Sequence, residues 1–375
     1  MIRRALLTVP QQAQQVATPR KANLNRGRRD VRNTVFVPSG STPDFSSLSE
    51  TSAAIPSPFG GANRTPLSSE GGLGSDAQSI RSAHSLGSIS NSLVRHPDMH
   101  ENGLNASVVE TVNASFTQGQ VTRAIVVGEM ALAYNKAEGQ EVARSETIRL
   151  DSFPVLEKVA PNPSFITAAS TGSGEYSVQT SQITRTQVAF KYQVHLEDNT
   201  LASHVPMLLH PTWRIEATQA SVILQYSFNP AFASSGGRSV SLKNVCIYVN
   251  VEGARATGCQ SKPAGAFRRE RSLLYWNLGD IRLDGYAQAP QKLLARFSTE
   301  GEARAGSTEA RWEITGEHAI GLGSGLGLSQ QPPHSGREAG GPDPFADGGT
   351  SPGPIDRWKE VPVVRKIVSG KYACV

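Results

Sequence analysis

The residues best equipped for catalysis stand apart in this chain. Its eight histidines are scattered. His84, His96, His100 and His334 lie in low-complexity text, His195 in an alternating stretch, and His204, His210 and His318 far from one another. They are read as ordinary surface side chains, because a metal centre needs ligands that converge from compatible spacings. Three cysteines, Cys246, Cys259 and Cys374, form no Cys-x-x-Cys pair and read as inert thiols of a reducing compartment. The chain has no nucleophile elbow, no Walker loop and no His-Glu-x-x-His. The run Gly321-Leu-Gly-Ser-Gly-Leu-Gly has the glycines of a phosphate loop but neither the lysine nor the helix that must follow, so it reads as a flexible lead into an insertion. Catalytic, cofactor-binding and metal-ligating residues are therefore all expected to be none.

The charge is placed unevenly. Residues 1–100 hold 11 basic and 6 acidic side chains of the chain's 37 and 32, which leaves 37−11 = 26 and 32−6 = 26 for the rest. Arg3, Arg4, Arg20, Lys21, Arg26, Arg28, Arg29 and Arg32 face only Asp30 within the first 32 residues. A neutral body excludes whole-domain attraction to nucleic acid. No signal peptide opens the sequence and no run nears the ~20 apolar residues of a membrane span. A cytoplasmic protein is expected, and the Asn-x-Ser/Thr triplets at Asn63, Asn105 and Asn113 read as chance.

The elements that would have to position any site are strands. Residues 1–102, rich in Ser, Gly, Gln, Asn and Pro with apolar residues at no fixed period, read as a disordered basic linker. From 103 onward the period becomes two: Val188, Phe190, Tyr192, Val194 and Leu196 alternate with Gln187, Ala189, Lys191, Gln193 and His195. Similar runs cover 125–134, 221–228 and 242–251, and a last one covers 361–375. No 3.6-residue pattern lasts three turns. The fold class is all-β: an elongated antiparallel β-sandwich, with Phe190, Tyr192, Leu224, Tyr226 and Trp276 in its core and a disordered insertion at about 321–354.

Several segments, in order, carry a family likeness. They are Val126-Val-Gly-Glu-Met-Ala-Leu-Ala-Tyr, Ser152-Phe-Pro-Val-Leu-Glu-Lys-Val-Ala-Pro-Asn-Pro-Ser-Phe-Ile, Trp213-Arg-Ile-Glu with Leu224-Gln-Tyr-Ser-Phe-Asn-Pro, Tyr275-Trp-Asn-Leu, Leu293-Leu-Ala-Arg-Phe and Val368-Ser-Gly-Lys-Tyr-Ala-Cys-Val. Together residues 103–375 resemble the μ-homology domain at the C-terminus of the fungal muniscins. That resemblance implies two β subdomains and an endocytic adaptor without enzymatic activity, peripheral at plasma-membrane endocytic sites. Its implied partners are endocytic scaffold proteins and the cytoplasmic tails of cargo. The helical F-BAR module usual in muniscins has no counterpart here, which implies a truncated gene model or a member without it. The alternatives are a cytoskeletal or coat scaffold and, further off, a β-sandwich hydrolase.

Two short candidate sites complete the reading. Arg26, Arg28, Arg29 and Arg32 are candidate contacts to anionic lipid, since each basic residue at a cytoplasmic leaflet contributes about 1 kcal/mol. Asp343-Pro344-Phe345, in Gly/Pro-rich text, resembles the short motif that endocytic proteins present to the clathrin adaptor appendage. Pro344 fixes φ and Phe345 supplies an apolar anchor.

Overall fold

The computed structural model describes residues 31–34, 36, 95–136, 145–169, 174–232, 239–285, 289–331 and 358–374. Among them are nineteen strands, short 3-10 turns and no α-helix. In chain order the strands are β1 Arg32–Asn33, β2 Gly103–Thr117, β3 Gln120–Asn135, β4 Glu146–Asp151, β5 Leu156–Pro161, β6 Ile166–Ala168, β7 Glu175–Val178, β8 Gln187–Val194, β9 Met207–Glu216 and β10 Gln219–Phe228. They continue with β11 Ser239–Glu252, β12 Ala256–Lys262, β13 Ala266–Arg268, β14 Leu273–Asp284, β15 Gln291–Thr299, β16 Arg304–Thr315, β17 Gly327–Gln330, β18 Lys359–Glu360 and β19 Val363–Cys374.

Ten strands make the main sheet, in the order β1-β5-β8-β3-β2-β19-β16-β11-β14-β13. Its pairings are antiparallel except β1 with β5 and β19 with β2, which are parallel. The last strand of the chain thus enters the middle of the sheet, between β2 and β16. A four-stranded sheet, β12-β15-β10-β9, and a five-stranded sheet, β18-β17-β4-β7-β6, complete the all-β fold. β9 lies against β2, β3, β16 and β19, so the small sheet covers the middle of the large one.

Local sequence accounts for the joints. Gln118 and Gly119 both take positive φ, 52° and 78°, in the two-residue turn between β2 and β3. Two left-handed residues match the twist of the flanking strands, and Gly119 supplies one without steric cost. In β11 the buried series Val240, Leu242 changes phase to Val245, Ile247, Val249, Val251. A bulge between Leu242 and Val245 absorbs the extra residue. There Asn244 sits at φ 52°, and its backbone N–H donates to Asp280 Oδ1 at 3.0 Å.

One continuous apolar core joins the three sheets. Phe190, Tyr192, Leu224 and Trp276 are fully buried, whereas Tyr226, near the end of β10, is half-buried. Tyr372 meets Phe116 at 4.9 Å and Trp312 at 5.4 Å between ring centroids, and its hydroxyl pairs with the backbone of Met207 across the sheets. Tyr192 lies directly opposite Gly128, whose missing side chain leaves room for the ring: a Cβ there would stand 2.2 Å from Tyr192 Cζ.

Three stretches and one strand residue depart from the sequence reading. The first is the start of the expected insertion. Leu322, Leu326 and Leu328 are buried, and β17 pairs with β4 and β18, so residues 321–331 belong to the core. The glycines of this run bend the chain, with positive φ at Gly321, Gly323 and Gly325, and set the leucines inward. Residues 332–357 lie outside the described residues. Two stretches assigned to the linker are also placed: Arg32–Asn33 in β1, and 95–102, where Met99 is buried. His96, expected at the surface, has a side chain only 7% exposed, with Nδ1 at 3.1 Å from Ser107 Oγ and Nε2 at 3.8 Å from Glu129. Finally, Lys191, assigned to a polar outer face, is 7% exposed and pairs with Glu129 at 3.3 Å. A desolvated ammonium needs such a partner.

Candidate functional site

Two polar constellations stand out, one buried and one exposed. The buried one centres on Glu110 of β2, 1% exposed. Its carboxylate accepts from Tyr192 Oη at 2.9 Å, from the Ser324 backbone N–H at 3.0 Å and from the Ser324 hydroxyl. Arg365 of β19 donates to the Leu326 carbonyl. The Gly321–Leu326 turn is thereby fastened to the main sheet from two neighbouring strands. Gly323 passes close over the carboxylate, where a Cβ would stand 2.1 Å from Glu110 Oε2. Burial, with Glu110 adding to it, pushes the Tyr192 hydroxyl far above its usual 10, so it remains a donor.

Beside this knot lies a cavity of about 50 Å³ lined by Glu110, His204, Phe232, Trp312 and Gly323 among others. A volume of that order holds a water or two rather than an organic substrate. Burial pushes the His204 imidazole below 6.5, and the charge of Glu110 pulls the other way. The unfolded chain takes up this proton near 6.5, whereas the fold resists it. The stability contributed by the neutral ring is thus complete above 6.5 and is lost as pH falls through 6.5 toward the lower folded value. Thermal melts of His204→Asn are expected to lose less stability than wild type between about pH 7.5 and about pH 5.5. Parallel losses in the two proteins would contradict this assignment.

The exposed constellation is the outer face of the four-stranded sheet. Thr212, Ile223, Leu294 and Lys262 form one row across β9, β10, β15 and β12. Arg214, Ser221, Arg296 and Gln260 form the next, and His210, Gln225 and Lys292 flank the first on its other side. Ile223 and Leu294 sit directly opposite each other and are 41% and 39% exposed. Cross-strand neighbours of this kind lie about 5 Å apart, so they make a single apolar spot. Arg214, Arg296, Lys292 and Lys262 surround it, all exposed. The carboxylate on this face, Glu216, pairs with Arg214 at 3.0 Å. The alternating period puts these residues here because Val222, Leu224, Leu293, Ala295 and Phe297 take the inner face.

Among the described residues, groups suited to covalent or metal chemistry do not gather. Among the described residues no cluster of three His, Cys, Asp or Glu side chains is placed to hold a metal. The thiols are separate, and burial raises Cys259 to about 11 and Cys374 to about 12, which suppresses the reactive thiolate. No helix among the described residues is long and apolar enough to cross a membrane.

The family model of the muniscin C-terminal mu homology domain matches residues 102–375. The chain belongs to the muniscin family. A Saccharomyces cerevisiae protein named Suppressor of yeast profilin deletion is 31% identical over 349 residues, 89% of this chain and 36% of that protein. Cytoskeletal protein syp1 of Schizosaccharomyces pombe is 29% identical over 112 residues, 30% of this chain and 13% of its own length. This chain therefore spans about a third or less of these relatives. Among solved structures, the zebrafish (Danio rerio) Fcho1 mu homology domain with bound Eps15 peptide has the same fold. Its TM-score is 0.52 and its identity 18%, covering 76% of this chain and 98% of that one. A muniscin mu homology domain is an endocytic adaptor module, and the expected β architecture is the one found.

The candidate sites expected from sequence fall almost wholly outside the described residues. Arg26, Arg28 and Arg29 lie outside the described residues, and the backbone of Arg32 lies in β1. Asp343, Pro344 and Phe345 also lie outside them. Sequence reasoning missed the basic face of the small sheet. Its signal was available in the polar phase of two alternating strands, where Ile223 and Leu294 break the expected pattern of polar residues.

Proposed function

We propose that this muniscin domain binds short acidic segments of endocytic scaffold proteins at early clathrin-coated sites, through the outer face of the four-stranded sheet. The observation that carries the reading is the exposed Ile223–Leu294 pair within a ring of four cations. Covering apolar surface gains about 25 cal/mol per Å², and the surrounding cations steer a carboxylate-rich chain into register. The peptide held by the zebrafish Fcho1 domain supports a peptide as the ligand class. In a fluorescence anisotropy titration with an acidic peptide bearing phenylalanine anchors, Ile223→Ser with Leu294→Ser is expected to weaken binding at least about tenfold, or 1.4 kcal/mol. Arg296→Glu is expected to do the same and to reduce the salt dependence of the remaining affinity. Binding that ignores both changes would move the site elsewhere, and no binding by wild type would overturn the peptide reading.

The other expected partners attach to other parts of the chain. We propose that the basic residues Arg26, Arg28, Arg29 and Arg32 hold the chain at anionic membrane, that Asp343-Pro344-Phe345 contacts the adaptor appendage, and that cargo tails are additional ligands. Reduced liposome flotation on Arg→Ala replacement, and loss of binding by a 335–352 peptide on Phe345→Ala, are the expected results for the first two. Recovery of cargo tails in pull-downs with the whole chain checks the third. The relatives' names, which mention profilin and the cytoskeleton, favour a cytoskeletal scaffold as the second reading. Actin-associated proteins in those pull-downs, in place of endocytic scaffolds, would support it.

A further inference from the structure

The outer edge of β5 is closed by a piece of this chain that lies far away in sequence. Positions 36 and 96 are 96−36 = 60 apart, yet Phe36 meets Lys191 and His96 meets Glu129, the ion-pair partner of Lys191. β1 runs parallel to β5, with Arg32 opposite Lys158 and Asn33 opposite Val159. Thr34 extends the contact: its N–H and its hydroxyl both donate to the Val159 carbonyl, at 2.9 and 3.4 Å. Val31 packs against the core at one end. At the other, the Phe36 ring stands 5.6 Å from the Lys191 ammonium, a cation–π distance.

Lys191 explains why an aromatic is useful there. Its ammonium is nearly excluded from water and paired with Glu129, which His96 approaches from the opposite linker stretch. Ala160 of β5 is the small residue opposite Lys191, which leaves the ammonium accessible to a ring from outside the strand. β1 has two paired residues against six in β5, so the contact is brief and built mostly from main-chain bonds. An exposed sheet edge offers such bonds to any extended segment, and side-chain pockets decide which one is accepted.

We propose that the outer edge of β5 is a strand-addition site that the chain's own residues 31–34, with Phe36, occupy as an internal competitor. The ligand class is an extended peptide with Val, then Thr three places on, then an aromatic two places further. Val31 reads the core side, Thr34 the Val159 carbonyl and Phe36 the Lys191 ammonium. A partner strand must displace the internal one. Because that segment is covalently attached, it meets the edge at an effective concentration that a free peptide has to exceed. This site is separate from the basic face and does not depend on it.

The test uses the full chain and a fluorescent peptide of residues 29–39. Thr34→Pro removes the donating N–H, and Phe36→Ser removes the ring. Both substitutions lie outside the 95–374 core, and an unchanged near-ultraviolet circular dichroism spectrum would show that the core persists. The doubly substituted chain is expected to bind the peptide at least about tenfold more tightly than wild type, because the edge is vacated. The single variant Phe36→Ser is expected to fall between them. A peptide carrying the same two substitutions is expected to bind neither chain. Equal affinity for wild-type and released chains, or no binding to the released chain at millimolar peptide, overturns the proposal. So does exchange of the Thr34 amide hydrogen at the unprotected rate in the wild-type chain.

Discussion

Replacing Trp276 by alanine is expected to lower the unfolding free energy by about 3–5 kcal/mol, the range for truncating an enclosed aromatic. The ring is 1% exposed on β14, opposite Ile247 of β11 and next to the edge strand β13. Its indole N–H donates to the Pro263 carbonyl at 2.9 Å, which ties the β12–β13 connection to the sheet. Gly265 runs alongside it, where even a methyl group would stand 3.0 Å from the indole Cδ1. Such a close backbone cannot collapse into the space that alanine would leave, so the cavity term should persist. Urea denaturation followed by tyrosine or remaining tryptophan fluorescence measures the change. Trp276→Phe keeps most of the volume but orphans the carbonyl and is expected to cost about 1–3 kcal/mol. A loss under about 1 kcal/mol for the alanine variant would show that the site closes after all.

Much of this fold was legible because period two survives wherever one face of a strand meets the core. The alternation in β10, β11 and β15 picks out Val222, Leu224, Val249, Leu293 and Phe297, all buried. Legibility fails where both faces are covered. In β2 the run Leu104–Glu110 is buried on every residue, and in β8 Ala189, Phe190, Lys191 and Tyr192 are all enclosed. A polar residue such as Lys191 in such a strand mimics a solvent face in the sequence, because its ion-pair partner Glu129 is 62 positions away by number. The glycine run at 321–327 misleads for another reason. Its composition belongs to flexible chain, and the bonds that order it come from Glu110 and Arg365, distant in sequence.

The candidate surface was less legible than the fold. Basic residues on β9, β12 and β15 are spread over residues 214–296, so no local charge run announces them. Only strand register brings Leu294 against Ile223 and Lys262, and register is a long-range property. The family likeness, by contrast, was legible because several short core-facing segments keep their order, and order needs no three-dimensional knowledge.

Replacing Glu110 by alanine should reveal how much stability a single buried carboxylate holds in place. Its loss would leave the Tyr192 hydroxyl and the Ser324 N–H without acceptors in a site that water reaches poorly, each at about 1–3 kcal/mol. The expected total is about 3–5 kcal/mol, the range for removing one member of a buried charged network. The release should be local as well as global, because Ser324 lies in the turn that precedes β17. Amide exchange at Leu326 and Leu328 is expected to accelerate more than exchange in β11. Tyr192→Phe separates the contributions. In the wild-type background it removes one donor to the carboxylate and costs about 1 kcal/mol. In the Glu110→Ala background it removes an orphaned hydroxyl, and the cost should vanish or change sign. A double-mutant cycle in which the two losses simply add would show that the hydroxyl and the carboxylate are not coupled. Equal exchange rates at Leu328 in wild type and Glu110→Ala would show that the turn is held by its leucines alone.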